Sequence, residues 1–242
     1  MKINLLKGKV IWISGGSRGI GAAISKKLME HNPFLFISGT SQDSFKNLDE
    51  SIKNNPNVFT LPCNVLNEKE IENCVKIILE KQGKIDFLIN NAGVLRFNSI
   101  LDAGVEEFDN QIGVNLKGLF LCIKSVLPSM LEKKSGTIIN INSVSAIKTY
   151  KYNGIYSASK AGALALSRCL REEVRRNGIK VIDIIPGATS TEIWQKEIRE
   201  KSGSLMMDAL DIAEAVAQIV LLSNNKKLML EEIIIRPQFG DL

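Results

Sequence analysis

A single histidine, His31, stands in a chain of 242 residues, and that scarcity removes much of catalytic chemistry. Ser-His-Asp and Cys-His mechanisms have no base unless His31 itself serves, and a metal centre built from several imidazoles is excluded. Cysteine is sparse as well. Cys63, Cys74, Cys122 and Cys169 lie far apart with no C-x-x-C pair. Zinc ribbons and disulfide scaffolds are not expected, and reduced thiols in a cytoplasmic protein are the reading. No uncharged apolar run reaches the roughly 20 residues of a transmembrane helix. The apolar run ahead of Val10 is too short for a secretory signal. Neither sign of charge dominates: 31 Lys and Arg face 26 Asp and Glu, a net charge of +5. No basic stripe is interleaved with aromatics, so no nucleic-acid partner is expected. An enzyme of this composition does its proton chemistry with Tyr, Lys, Asp, Glu or Cys.

What is present is an ordinary globular balance, 45% hydrophobic and 24% charged, which suffices for one sizeable core. Short apolar runs at 10–13, 34–38, 58–61, 87–89, 137–141, 181–185 and 232–235 read as strands. Between them, helical patterns cover the stretch to residue 30, 44–53, 68–81, 105–133 (with a break near Pro128), 157–176 and 209–222. Strands apolar on both faces, each followed by a helix, imply a parallel sheet covered on both sides. Right-handed crossovers then give an α/β doubly wound Rossmann-type fold. With no linker-like composition and no repeat, residues 1–242 are read as one domain. His31 falls at a helix end and is read as structural or exposed. Lys226 and Lys227 are read as a surface loop.

After the first strand comes Ser14-Gly15-Gly16-Ser17-Arg18-Gly19-Ile20-Gly21, leading into a helix. Gly15, Gly19 and Gly21 permit a tight turn and a close backbone approach, and free amides at a helix N-terminus suit a pyrophosphate. The spacing is G-x-x-x-G-x-G, and no Gly-Lys-Ser/Thr follows, which excludes a Walker loop. Beyond the second strand the chain reads Ser38-Gly39-Thr40-Ser41-Gln42, with no acid before Asp43. An acid there would bind a ribose 2′-hydroxyl and repel a 2′-phosphate. Arg18 supplies a cation, and Thr40 and Ser41 supply hydroxyls, for such a phosphate. NADP(H) is therefore preferred, with NAD(H) as the alternative. The competing reading is a solvated Arg18 and an ordinary polar turn.

Of the three tyrosines, Tyr150, Tyr152 and Tyr156, only the last has a lysine four residues on, Lys160. In a helix the two share a face, and an ammonium nearby lowers a phenol's pKa toward neutrality. That predicts Tyr156 as general acid or base. Ser143 lies just past a buried strand, where open α/β sheets bind ligands, and its hydroxyl suits a carbonyl oxygen. Asn115 is a polar residue within an apolar helix, read from its position alone as bonding helix backbone.

Together with Asn90-Asn91-Ala92-Gly93, and Pro186-Gly187 with Thr191 behind it, these motifs stand in the order of a known family. The chain resembles the classical short-chain dehydrogenase/reductases, and within them the NADP-preferring 3-oxoacyl-ACP reductase-like members. The resemblance spans most of the chain. It implies a seven-stranded parallel sheet, a nicotinamide cofactor, and an oxidoreductase acting on a carbonyl or secondary alcohol. It assigns proton transfer to Tyr156, ribose binding and pKa lowering to Lys160, carbonyl polarisation to Ser143, and a water-mediated relay to Asn115. It further places Gly15, Ser17, Arg18, Gly19, Ile20, Gly21, Thr40, Ser41, Asn64, Val65, Asn91, Ala92, Gly93, Tyr156, Lys160, Pro186, Gly187 and Thr191 against the cofactor. No metal is implied.

Two features depart from the 3-oxoacyl-ACP reductases. The substrate lid at about 190–208 is short, and the end, Glu231 to Pro237, lacks their terminal Gly-Gly segment. The substrate class stays open between an acyl thioester, a keto sugar and a small ketone. A non-catalytic dinucleotide-binding subunit is the competing reading, and it has no need of Ser143, Tyr156 and Lys160 together. From Ile112 to Met130 apolar residues surround the helix, more than one stripe requires. The surplus predicts a homodimer or homotetramer.

Overall fold

The computed structural model describes residues 4–225 and 227–240. Strands and helices alternate. The first half holds β1 (Val10–Ser14), α1 (Gly19–Met29), β2 (Phe34–Gly39), α2 (Glu50–Lys53), β3 (Val58–Pro62), α3 (Glu68–Gln82) and β4 (Phe87–Asn90). Then come α4 (Val105–Ile112), a π-helical turn (Gly113–Gly118), α5 (Leu119–Lys133), β5 (Gly136–Ile141) and α6 (Gly154–Val174). The last part is β6 (Ile179–Pro186), β7 (Thr189–Ser190), α7 (Lys196–Ser202), β8 (Met207–Asp208), α8 (Ala209–Ser223) and β9 (Glu232–Ile235).

Seven strands form one sheet in the order β3-β2-β1-β4-β5-β6-β9, and every pairing is parallel. The expected doubly wound α/β sheet is therefore observed. Alternation along each strand divides the apolar side chains between two layers. Trp12, Phe36, Leu88, Ile138 and Val181 face α3, α5 and α6 through Ile71, Cys122, Val126 and Ala163. Ile11, Ile13, Ile37, Ile89, Ile139 and Ile184 face α1, α2 and α8 through Ile24, Leu28, Ile52, Val216 and Val220. The chain winds outward from β1 to β3, then crosses back to β4. The crevice at that reversal, beyond the carboxyl ends of β1 and β4, is where such sheets place ligands.

Two local expectations are corrected. The helix expected at 44–53 is a 3-10 turn (Gln42–Phe45) followed by the four-residue α2. Asp49 divides them, because its carboxylate accepts the Ser51 amide at 2.9 Å and starts a fresh turn. The helix over 105–133 does not break near Pro128. Pro128 is exposed within α5, so the carbonyl its ring displaces, four residues earlier at exposed Lys124, faces water. The irregularity is instead the π-helical turn at Gly113–Gly118. This helical stretch is apolar and long enough to cross a membrane by length and hydropathy. Its residues Leu121, Cys122, Val126 and Met130 are nevertheless buried in the protein core. Finally, within 190–208 the chain forms α7 and a small parallel pairing of β7 with β8, which the sequence pattern did not indicate.

His31 is half-buried just after α1, where its carbonyl accepts the Leu6 amide at 3.2 Å. That is the end of the sheet where β2 begins, opposite the ligand crevice. Lys227 is exposed, as expected, and Lys226 lies outside the described residues.

Candidate active site

The glycine loop is held by the segment that follows β4. Asn91 donates from Nδ2 to the Gly15 carbonyl at 2.7 Å and to the Ser14 carbonyl at 3.3 Å. Ser14 Oγ in turn accepts the Asn91 and Ala92 amides at 3.2 and 3.3 Å. The approach is so close that side chains are sterically barred. A Cβ on Gly15, whose φ is +64°, would stand 2.7 Å from Ala92 Cα, and one on Gly21 would stand 2.4 Å from Asn91 Nδ2. Gly15, Gly21, Asn91 and Ala92 are thus one interlocked unit. Ser14 was not singled out in the sequence. Its signal is the last position of β1, in register with Asn90.

Arg18 is the N-cap residue of α1, extended and without a capping side-chain bond, and the first turn carries no acid. The first amides of α1 therefore point outward beside an exposed cation, a donor set that suits a phosphate. Ser17 lies against Gly39 at the end of β2, which brings the loop beside Thr40 and Ser41, both exposed. Asn64 accepts the Leu66 amide at 3.0 Å through Oδ1. Val65 packs against Gly118 of the π turn. From the other side Thr191, buried, comes within 3.4 Å of the space where Gly19 would carry a Cβ. Pro186 and Gly187 form the turn beneath Thr191. The Gly187 amide donates to Ile235 at 2.7 Å, and the Pro237 ring occupies the space a Gly187 side chain would need.

The catalytic candidates converge one strand further on. Tyr156 and Lys160 share the sheet-facing side of α6, and both are buried. Ser143, at the end of β5, hydrogen-bonds the Tyr156 phenol, and its Oγ accepts the Ser145 amide at 3.1 Å. Lys160 Nζ donates to the Ile141 carbonyl at 2.9 Å and stands 5.8 Å from the Tyr156 ring centre. The electrostatics depart from expectation. Burial pushes the Tyr156 phenol up to about 12, opposed only by the Ser143 hydrogen bond. Burial likewise lowers Lys160 to about 8, opposed by the Asp183 carboxylate. The expected depression of the tyrosine by the lysine is absent from the protein's own groups, because the ammonium is directed at the Ile141 carbonyl and the phenol is desolvated.

Asn115 departs from its expectation in a different way. Its side chain does not bond its own helix. Oδ1 accepts the Val94 amide at 2.8 Å, and Nδ2 donates to the Val94 carbonyl at 2.9 Å and to Ser159 Oγ at 3.0 Å. It clamps the strand β4 exit to α6. Gly93 lies between Asn115 and Lys160, whose Oδ1 and Nζ are 3.4 and 3.8 Å from its would-be Cβ. Near Ser143 a further buried pair, Asn153 Nδ2 to Ser145 Oγ at 3.0 Å, went unnoticed in the sequence. So did a contact between Phe97 and Trp194, whose ring centres are 5.4 Å apart. Among the described residues no cluster of His, Cys, Asp and Glu could hold a metal.

Residues 9–202 match the family model described as short chain dehydrogenase. An uncharacterized oxidoreductase of Staphylococcus aureus (strain N315) is 34% identical over 238 residues, 97% of this chain and 100% of that protein. A metagenomic short-chain oxidoreductase solved in complex with NADP has a TM-score of 0.82 at 27% identity, covering 97% of this chain and 99% of its own. Levodione reductase has a TM-score of 0.86 at 26% identity, covering 95% and 96%.

Proposed function

Because the chain belongs to the short-chain dehydrogenase/reductase family of nicotinamide-dependent oxidoreductases, we propose that it is an NADPH-dependent carbonyl reductase, reversible as a secondary-alcohol dehydrogenase. The observation that carries the reading is the buried convergence of Ser143, Tyr156 and Lys160 beside the glycine cradle. A purely dinucleotide-binding subunit would have no use for that set.

When bound, NADPH would supply the hydride; the remaining work belongs to the chain. The interlocked Gly15–Gly21 loop and the α1 amides would hold the pyrophosphate. Arg18, with Thr40 and Ser41, would take the 2′-phosphate, while Asn64 and Val65 would lie on the adenine side. Asn91, Ala92 and Gly93 would back the cofactor, with Pro186, Gly187 and Thr191 on the nicotinamide side. Ser143 donates a hydrogen bond to the substrate oxygen, and Tyr156 gives that oxygen its proton. Lys160 would hold the nicotinamide ribose, and its ammonium would lower the Tyr156 phenol. Asn115 keeps Gly93 and Lys160 in place. The stretch at about 190–208, with Trp194 against Phe97, serves as the lid of a single 1–242 domain.

The helical surplus expected to imply an oligomer is largely absorbed by the protein itself. Leu119, Leu121, Ile123 and Val126 are buried. Val105, Phe108, Phe120 and Leu131 remain exposed, and an apolar hollow lined by Ile100, Val105, Phe108, Ile155 and Ala158 adjoins them. We read this face as the contact of a homodimer or homotetramer, which light scattering tests; a monomer at micromolar concentration refutes it.

The function is tested by following NADPH absorbance with acyl thioesters, keto sugars and simple ketones. Turnover with one class is expected, abolished by Tyr156→Phe while NADPH still binds. Undiminished activity in that variant overturns the mechanism. NADH bound more tightly than NADPH overturns the cofactor preference, which Arg18→Ala is expected to narrow.

A further inference from the structure

The turn that leads into α6 breaks three local rules at once. Tyr152 has a φ of +63°, a left-handed conformation that strains an aromatic residue. The other two described non-glycine residues of positive φ, Asn32 and Lys134, follow the ends of α1 and α5, where a left-handed residue commonly closes a helix. Tyr152 stands before a helix and has no such reason. Asn153 is the N-cap residue of α6, a position where asparagine ordinarily accepts an amide of the first turn, yet its side chain makes no capping bond. Its Oδ1 is buried without a partner among the described residues, although a buried acceptor left unpaired is costly.

All three departures serve the other end of the same amide. Asn153 Nδ2 donates to Ser145 Oγ at 3.0 Å, between side chains that are 4% and 7% exposed. The Ser145 amide in turn donates to Ser143 Oγ at 3.1 Å. Two backbone bonds hold the turn in this shape. The Tyr152 carbonyl accepts the Asn98 amide at 2.9 Å, and the Asn153 amide donates to the Tyr150 carbonyl at 3.3 Å. Asn153 also begins the helix that carries Tyr156 three residues on, and its carbonyl accepts the Ser157 amide at 2.9 Å. One residue therefore joins the loop bearing Ser143 to the first turn of the helix bearing Tyr156.

We propose that Asn153 is a positioning residue: through Ser145 it fixes the Ser143 hydroxyl relative to the Tyr156 phenol. Both hydroxyls must reach one substrate oxygen, and a displacement of either by a fraction of their separation spoils the alignment that speeds the chemical step. Holding Ser145 Oγ fixes the short turn Val144–Ala146, and with it the amide that seats Ser143. The strain at Tyr152 and the forgone helix cap persist because together they deliver the Asn153 amide to that turn. The inference rests on the reductase reading for what Ser143 and Tyr156 do; the hold of Asn153 on Ser145 is measured without turnover.

The experiment uses the whole protein carrying Asn153→Ala. Hydrogen exchange followed by NMR is expected to show the Ser145 amide losing protection by about tenfold more than the core amide of Ile138. The kcat on the carbonyl compound that the parent turns over is expected to fall at least about tenfold, while NADPH affinity by fluorescence titration stays unchanged. A general loosening of the fold does not give that split. Asn153→Ala/Ser145→Ala is expected to lose no more kcat than Ser145→Ala alone, because the two side chains act as one unit. If Asn153→Ala does not fold, Ser145→Ala removes the same hydrogen bond from its other end and is expected to show the same losses. An unchanged Ser145 amide, an unchanged kcat in a folded variant, or additive losses in the double variant overturns the proposal. A Ser145 amide that responds as stated in a protein that reduces no carbonyl compound sustains the hold of Asn153 on the serine loop and rejects the reductase reading alone.

Discussion

Replacing Asn115 by alanine separates a relay residue from a clamp. The side chain makes three hydrogen bonds, two to Val94 backbone and one to Ser159. Ser159 loses least, because its hydroxyl still donates to the Tyr156 carbonyl at 2.7 Å. The Val94 amide and carbonyl lose their partners in a half-buried loop. Taking roughly 1 kcal/mol for each bond, the loss is about 3 kcal/mol. For a domain of this size that corresponds to a Tm decrease of roughly 6–12 °C. Chemical denaturation should show a lower midpoint with an unchanged slope, since the exposed area on unfolding is the same. A relay role without a clamp predicts lost turnover at unaltered stability. A denaturation midpoint equal to that of the parent protein would refute the structural reasoning, whatever happens to activity.

Gly15→Ala forces a left-handed residue to carry a Cβ 2.7 Å from Ala92 backbone. Beyond roughly 1–2 kcal/mol for the conformation itself, the loop must move, and NADPH affinity measured by fluorescence titration should drop at least about tenfold; an unchanged affinity counts against the cradle. Cys169 is exposed while Cys63, Cys74 and Cys122 are buried; the neighbouring Cys74 and then burial raise the Cys63 thiol, and burial raises that of Cys122. One equivalent of a disulfide reagent is therefore expected to react with the native protein and the rest only on unfolding; rapid modification of all four contradicts the packing. Lys160 titrates near 8 folded against an ordinary 10.5, so between these values the unfolded chain binds the extra proton and stability rises with pH. The gain is a few kcal/mol, about 1.4 per unit. It should disappear in Lys160→Met, and parallel stability curves for the two proteins would exclude it.

The parts legible in the sequence are those where one residue type serves one geometric need. Strand runs such as Val10 to Ile13 are apolar because both faces are covered, and Tyr156 and Lys160 are four apart because they share a helical face. The glycine loop was legible for the same reason. What escaped depended on partners distant in the chain. Nothing local tells that Asn115 reaches Val94 rather than its own helix, or that Pro237 fills the space beside Gly187. Pro128 reads as a helix breaker, yet the carbonyl it frees faces water. The phenol of Tyr156 was expected low from its lysine neighbour. Burial, which no spacing reports, pushes it up instead, and the Lys160 ammonium is turned toward the Ile141 carbonyl.

The π turn at Gly113–Gly118 acts as a phase adjuster. One residue more than an α-helical turn rotates everything beyond it by about 100°. This lets a continuous rod present Val105 and Phe108 outward on α4, yet direct Leu121, Cys122 and Val126 of α5 into the sheet. Asn115 sits within the adjustment. Deleting one residue there would restore an ordinary helix and turn Asn115 away from Val94, so the length of this segment is as constrained as its residue types.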